Sequence, residues 1–129
     1  MEQSTVSIEQ FQDELQSWKR ELSSSKEEIK SFEKELADLA CRKHDREVLA
    51  HVEHFQNNFI RQKEVIDELR HDLPDSRYKV ENIFNSKFQS NGSSEHDVHA
   101  HLNDRMETFR KLYHELKDEF QKFESDHLV

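Results

Sequence analysis

The nine histidines of this 129-residue chain are its first candidates for chemistry, since imidazole is a common metal ligand and the side chain whose charge changes nearest neutral pH. His51 and His54 are spaced i,i+3, as are His96 and His99, and that spacing sets two ligands on one face of a helix. His51, His54, His127, His44 and Cys41 make up a weak metal-binding set. Solvated histidines on polar helix faces explain the same pattern without a metal, and no pair here has the specificity of a double CxxC site. Two Glu-x-x-His strings, Glu68 to His71 and Glu124 to His127, have the form that carboxylate di-iron bundles use. Cys41 has His44 three residues on, but neither a third orienting group nor oxyanion donors accompany them, so no nucleophilic role is expected. A single glycine, Gly92, can supply neither a Walker loop nor a dinucleotide-binding turn. No catalytic residue and no cofactor are expected.

Positioning any of these side chains falls to helices. With one glycine and one proline, the chain lacks the punctuation that many-stranded folds need at their turns. From Ile8 the core-type positions alternate in steps of three and four: Ile8, Phe11, Leu15, Trp18, Leu22, Ser25, Ile29, Phe32, Leu36, Leu39. This 3.5-residue repeat draws one stripe along an α-helix and requires partner helices. Ser7 with Gln10 is a capping-box pair and Val6 with Phe11 a hydrophobic staple, which places the first helix at about 7–41. Phase is lost across residues 41–46 and regained at Val48, Val52, Phe55, Phe59, Gln62, Ile66, Leu69 and Leu73. That break reads as a helix-to-helix turn, with one long stuttering rod as its rival. Pro74 removes a backbone donor and restricts Leu73. Val80 and Ile83 nevertheless keep the register, which predicts one middle helix over about 46–89, kinked or broken at Pro74. Residues 90–93 read as a loop, and a last helix at about 94–127 carries His99, Leu102, Met106, Phe109, Tyr113, Leu116, Phe120, Phe123 and His127.

Antiparallel coiled packing sets an a position level with a d position, and turns centred near Asp45 and Asn91 satisfy that rule for both helix pairs. The resulting layers include Leu15/Ser76/Met106, Trp18/Leu73/Phe109 and Phe32/Phe59/Phe123. The predicted fold is all-α: one domain over 1–129, an elongated antiparallel three-helix bundle (up-down-up) with coiled-coil-like packing, on the order of 50 Å long. In this register the two Glu-x-x-His strings lie about 15 Å apart along the axis, too far to share metals about 4 Å apart. Leu49, Ile60, Val65, Tyr78, Phe84, Phe88, Val98 and Leu112 fall off the stripe. Flanking burial accounts for several of them, while Ile60 and Phe88 point most directly outward and are the candidate partner-binding residues. The stretch from Leu102 to Met106 and on through Phe109, Leu112, Tyr113 and Leu116, together with Trp18, resembles the helix pattern of spectrin-type three-helix repeats. That resemblance implies an architecture and carries no function.

The formal charge of −9, from 28 acidic and 19 basic residues, and the lack of a segregated basic face argue against nucleic acid as a partner. Apolar runs such as Val48-Leu49-Ala50 stop at three residues, where a membrane span needs about 20. The N-terminus shows neither the basic nor the apolar region of an export signal, and one cysteine fits a reducing cytoplasm. Together these readings predict a non-catalytic, cytoplasmic helical-bundle protein that serves as an interaction or scaffold module, with another protein or a second copy as its partner. Two alternatives stand beside it: a metal-binding or metal-sensing bundle using the end-clustered histidines, and a self-assembling coiled-coil structural element.

Overall fold

The computed structural model describes residues 7–42, 45–86 and 94–127. Among them the chain is all-α, with four helices and no strand: α1 (Ile8–Arg42), α2 (Arg46–Asp72), α3 (Arg77–Ser86) and α4 (Ser94–Asp126). The capping box starts α1. Ser7 N–H donates to Gln10 Oε1 at 3.0 Å and Gln10 N–H to Ser7 Oγ at 3.1 Å, pairing two donors that lie beyond the reach of the helix's own carbonyls. Asp45 is extended, with φ −60° and ψ 135°, so no unbroken rod runs from α1 through α2. Asp45 caps α2, its carboxylate accepting from Glu47 N–H at 3.1 Å. The expected loop at 90–93, the staple residue Val6, and the candidates His44 and Phe88 lie outside the described residues.

The middle helix expected over about 46–89, kinked or broken at Pro74, is two helices over the described residues, α2 and α3. α2 stops at Asp72 because Leu73 has φ −72° and ψ 136°, the extended geometry that a following proline ring enforces. Leu73 N–H still donates to Leu69 O at 3.0 Å. α3 then restarts on its own cap, with the Ser76 hydroxyl accepting from Lys79 N–H at 3.2 Å and the Ser76 carbonyl from Val80 N–H at 3.1 Å. Ser76, expected in a core layer, is exposed in this capping role, whereas Leu73 and Pro74 beside it are buried.

Cross-helix contacts give the chain directions. Lys26 pairs with Asp67 and Glu33 with Lys63, so α1 and α2 are antiparallel, while Glu21 pairs with Arg110 and Glu28 with Lys117, so α1 and α4 are parallel. α2 and α3 both pack against α1 and α4. The stripes read from the sequence meet in one core running from Phe11 to Leu39 on α1, Val48 to Leu69 on α2 and Leu102 to Phe123 on α4.

Phenylalanine rings mark the register. Phe32 and Phe59 stack 5.9 Å apart, and Phe120 lies 5.2 Å from each. The expected partner of that pair was Phe123, which meets Phe55 instead at 5.1 Å. Relative to the predicted layers, α4 is therefore displaced by about one turn along α1 and α2. Layer matching allows registers half a heptad apart, and the ring fit together with the Glu21–Arg110 and Glu28–Lys117 pairs selects this one.

Phe59 has no exposed surface, so Phe59→Ala is expected to cost about 3–5 kcal/mol through the cavity it leaves. Glu107→Ala on an exposed position is expected to change stability by less than about 0.5 kcal/mol. Chemical denaturation of the two variants checks this, and similar losses would contradict the assigned core.

Candidate functional site

Histidines of the metal-candidate set do share a place. His51, His54 and His127 line an open groove of ≈ 580 Å³ between α2 and α4, with Glu119, Lys122 and Asp126 on its rim. Their rings serve packing there. His51 and His127 lie 5.6 and 4.6 Å from the Phe123 ring, the Phe123 carbonyl accepts from His127 Nδ1 at 2.8 Å, and His54 sits edge-on to Phe55. Cys41 is exposed near the end of α1 and does not line the groove. Among the described residues no three His, Cys, Asp or Glu side chains gather as a metal ion would need. His99 is held between Phe11, edge-on at 5.4 Å, and Trp18, stacked at 5.8 Å, with Glu14 on its Nε2.

The three helix seams differ in how they are closed. Between α1 and α2, Lys26–Asp67 at 2.7 Å and Lys63–Glu33 at 2.9 Å bridge the helices. Between α1 and α4, Arg110 holds Glu21 through two bonds of 2.7 and 2.8 Å, the fork geometry that makes arginine–carboxylate pairs strong. Further along, Glu28 accepts from Tyr113 Oη at 2.5 Å and from Lys117 Nζ at 3.0 Å. Burial alone would raise the Glu28 carboxyl, but these two donors outweigh it and hold the group below its ordinary range, while burial and the Glu28 bond keep the Tyr113 hydroxyl protonated. One α1/α4 contact has the wrong sign for a clasp. Burial and a hydrogen bond to Glu35 push Glu124 up to about 7.

Across α2 and α4 the ion pair among the described residues is Arg105–Asp72 at 2.7 Å, near the C-terminal end of α2. Beside it lies a groove of ≈ 380 Å³ with Val65, Leu69, Phe109 and Leu112 on its apolar side and Arg61, Glu68 and Asp104 among its polar neighbours. A second cavity of ≈ 340 Å³ adjoins it through Glu68 and Arg105. Gln62 lines the first groove. It is 9% exposed, and its Oε1 is buried without a hydrogen-bond partner, a defect that costs about 1–3 kcal/mol in a free protein.

Sequence reasoning named Val65 and Leu112 as off-stripe residues but did not bring them together, because their meeting depends on the α2/α4 register. Ile60, the described member of the expected partner-binding pair, is 48% exposed and borders neither of these cavities nor the histidine-lined groove. Comparison with protein-family models, with curated proteins and with solved structures finds no match for the chain. The likeness to spectrin-type repeats therefore rests on heptad positions alone.

Two variants probe this electrostatic layout. Gln62→Leu replaces a buried, unpaired amide with an apolar side chain and is expected to raise unfolding stability by about 1–2 kcal/mol, measured by urea titration; a loss would mean that the amide is satisfied in solution. For Glu124 the folded-state pKa lies above the unfolded value of 4.5. Folding therefore takes up a proton, and stability falls as pH rises from about 4.5 through about 7. Glu124→Gln is expected to stabilise by up to about 1 kcal/mol at pH 8, after allowance for solvent screening, and by almost nothing at pH 5. Equal effects at both pH values would contradict the carboxyl pairing.

Proposed function

We propose that this chain is a non-catalytic, cytoplasmic interaction module. In this reading it is a three-segment bundle with coiled-coil-like packing, in which α2 and α3 together form the middle segment and the helix faces are presented to a protein partner. The observation that carries the reading is how apolar side chains are divided. The core stripes are filled, yet Tyr78 is 71%, Ile60 48% and Leu112 46% exposed on regular helices. Removing such groups from water drives association, and a surface held by a packed core loses little freedom when it binds. The lone cysteine suits a reducing compartment.

Self-pairing into a homodimer is a second reading with one observation in its favour. Leu49 and Ile60, both on α2 and both exposed, are spaced by about three helical turns and so fall on one stripe.

Affinity capture from the source cell extract, with light scattering of the purified chain, tests both. The module reading expects a discrete retained protein that is lost on Tyr78→Glu, Ile60→Glu or Leu112→Glu, and a monomeric mass in isolation. A dimeric mass abolished by Ile60→Glu favours self-pairing. No retained protein and a monomeric mass unaffected by any variant would refute both.

A further inference from the structure

α1 carries a ladder of carboxylates along its seam with α4. Glu14, Glu21, Glu28 and Glu35 are spaced by seven residues, so each repeats the same position of the heptad. The register decides what each one meets. Glu14 has His99 on it. Arg110 holds Glu21 at 2.7 Å and Lys117 holds Glu28 at 3.0 Å, and the partners in both pairs stand 89 positions apart in the chain. One heptad further along both helices, the same offset sets Glu35 against Glu124, where the pattern calls for a lysine or arginine. The helices are still packed at this level, because Phe32 and Phe120, one turn back from the two glutamates, lie 5.2 Å apart.

The neighbouring elements bring no cation to this rung. Along α1 and α4 the titratable residues one turn from Glu35 and Glu124, at i±3 and i±4, are Asp38 and His127. His127 is turned to the Phe123 carbonyl, and Lys117, two turns back, is bound to Glu28. From α2, Glu47, His51 and His54 reach the other side of Phe123, where with Glu119, Lys122 and Asp126 of α4 they line a groove that Glu124 does not border. α3 packs at the far end, where Phe84 meets Phe11. Two carboxyls in contact without a cation are compatible when one keeps its proton and donates it to the other. Burial and that bond push the Glu124 carboxyl up to about 7.

We propose that Glu35 and Glu124 form a proton-operated latch: while they share a proton they fasten the last turns of α4 to α1, and loss of that proton sets like charges against each other and loosens those turns. This goes beyond the interaction-module reading and does not depend on it. Because the folded-state value lies above the ordinary 4.5, the latch contributes fully below about pH 4.5 and is lost as pH rises through about 7. The turns it releases carry Phe123, the ring on which His51 and His127 pack. Opening the latch therefore reshapes the histidine-lined groove, while the rungs at Glu21 and Glu28 keep the rest of the seam closed.

Amide hydrogen exchange of the whole chain at pH 5.5 and pH 8, expressed as protection relative to the intrinsic rate at each pH, tests the latch. In the unaltered chain, protection over Phe120 to Asp126 is expected to fall by about threefold to tenfold at pH 8, with little change over Leu102 to Leu116. Glu124→Gln should abolish that fall, since its amide donates to Glu35 at either pH. Glu124→Lys completes the ladder and should protect the same amides at pH 8 at least as well as the unaltered chain does at pH 5.5. Protection that does not change with pH, or a loss shared equally by Leu102 to Leu116, would overturn the latch. So would a loss that persists in Glu124→Gln: imidazole changes charge over the same interval, and this variant leaves His51 and His127 in place, so a persisting loss would belong to the histidines.

Discussion

Five phenylalanine rings, Phe32 on α1, Phe55 and Phe59 on α2, and Phe120 and Phe123 on α4, lock the long helices at one level. Their centroids lie 5.1 to 6.3 Å apart in stacked, tilted and edge-on pairs, the geometries that the quadrupole of an aromatic ring favours. Because a core this dense tolerates neither a void nor an extra methylene, sliding any helix by a turn would put smaller side chains where these rings sit. The register set there carries along each apolar stripe to both ends. It also decides which polar residues meet at each seam.

Those meetings are unequal. α1 contributes Glu21, Glu28 and Glu33 to cations on its neighbours and Lys26 to a carboxylate, so it is the helix that both others are fastened to. Each exposed pair adds little stability, roughly 0–1 kcal/mol, but the half-buried Arg110 fork and the Tyr113–Glu28–Lys117 cluster also discriminate between registers that apolar matching leaves nearly equal. Features that run against stability include Glu124 facing Glu35 and the unpaired Gln62 oxygen. Both lie outside the aromatic cluster, where its packing can offset their cost.

This asymmetry bears on function. A bundle whose seams were all clasped and whose off-stripe positions were all polar would offer a partner little beyond solvated charge. Here the rigid core holds α2 and α4 in fixed relation, while the seam between them keeps Leu112 partly in water. Rigid elements hold a binding surface at low entropic cost.

Much of the fold was legible in the sequence, because heptad spacing is a local property. Phe11 to Leu39, Val48 to Leu69 and Leu102 to Phe123 fall on 3.5-residue stripes whatever their partners, and the Ser7–Gln10 cap needs four consecutive residues. Pro74 announced a disturbance for equally local reasons. Whether the chain would bend there or stop and restart depended on Leu73 remaining buried and Ser76 finding cap partners. Tertiary structure alone decided that Phe120 rather than Phe123 joins Phe32 and Phe59. It also decided that Val65 and Leu112 share a groove, and that His51, His54 and His127 line another without three ligands converging. The physical reason is the same in each case. A 3.5-residue repeat says which face of a helix is buried but is nearly indifferent to a shift of half a heptad. That shift is resolved by how individual rings and ion pairs fit across the interface, and these are contacts between residues far apart in the chain.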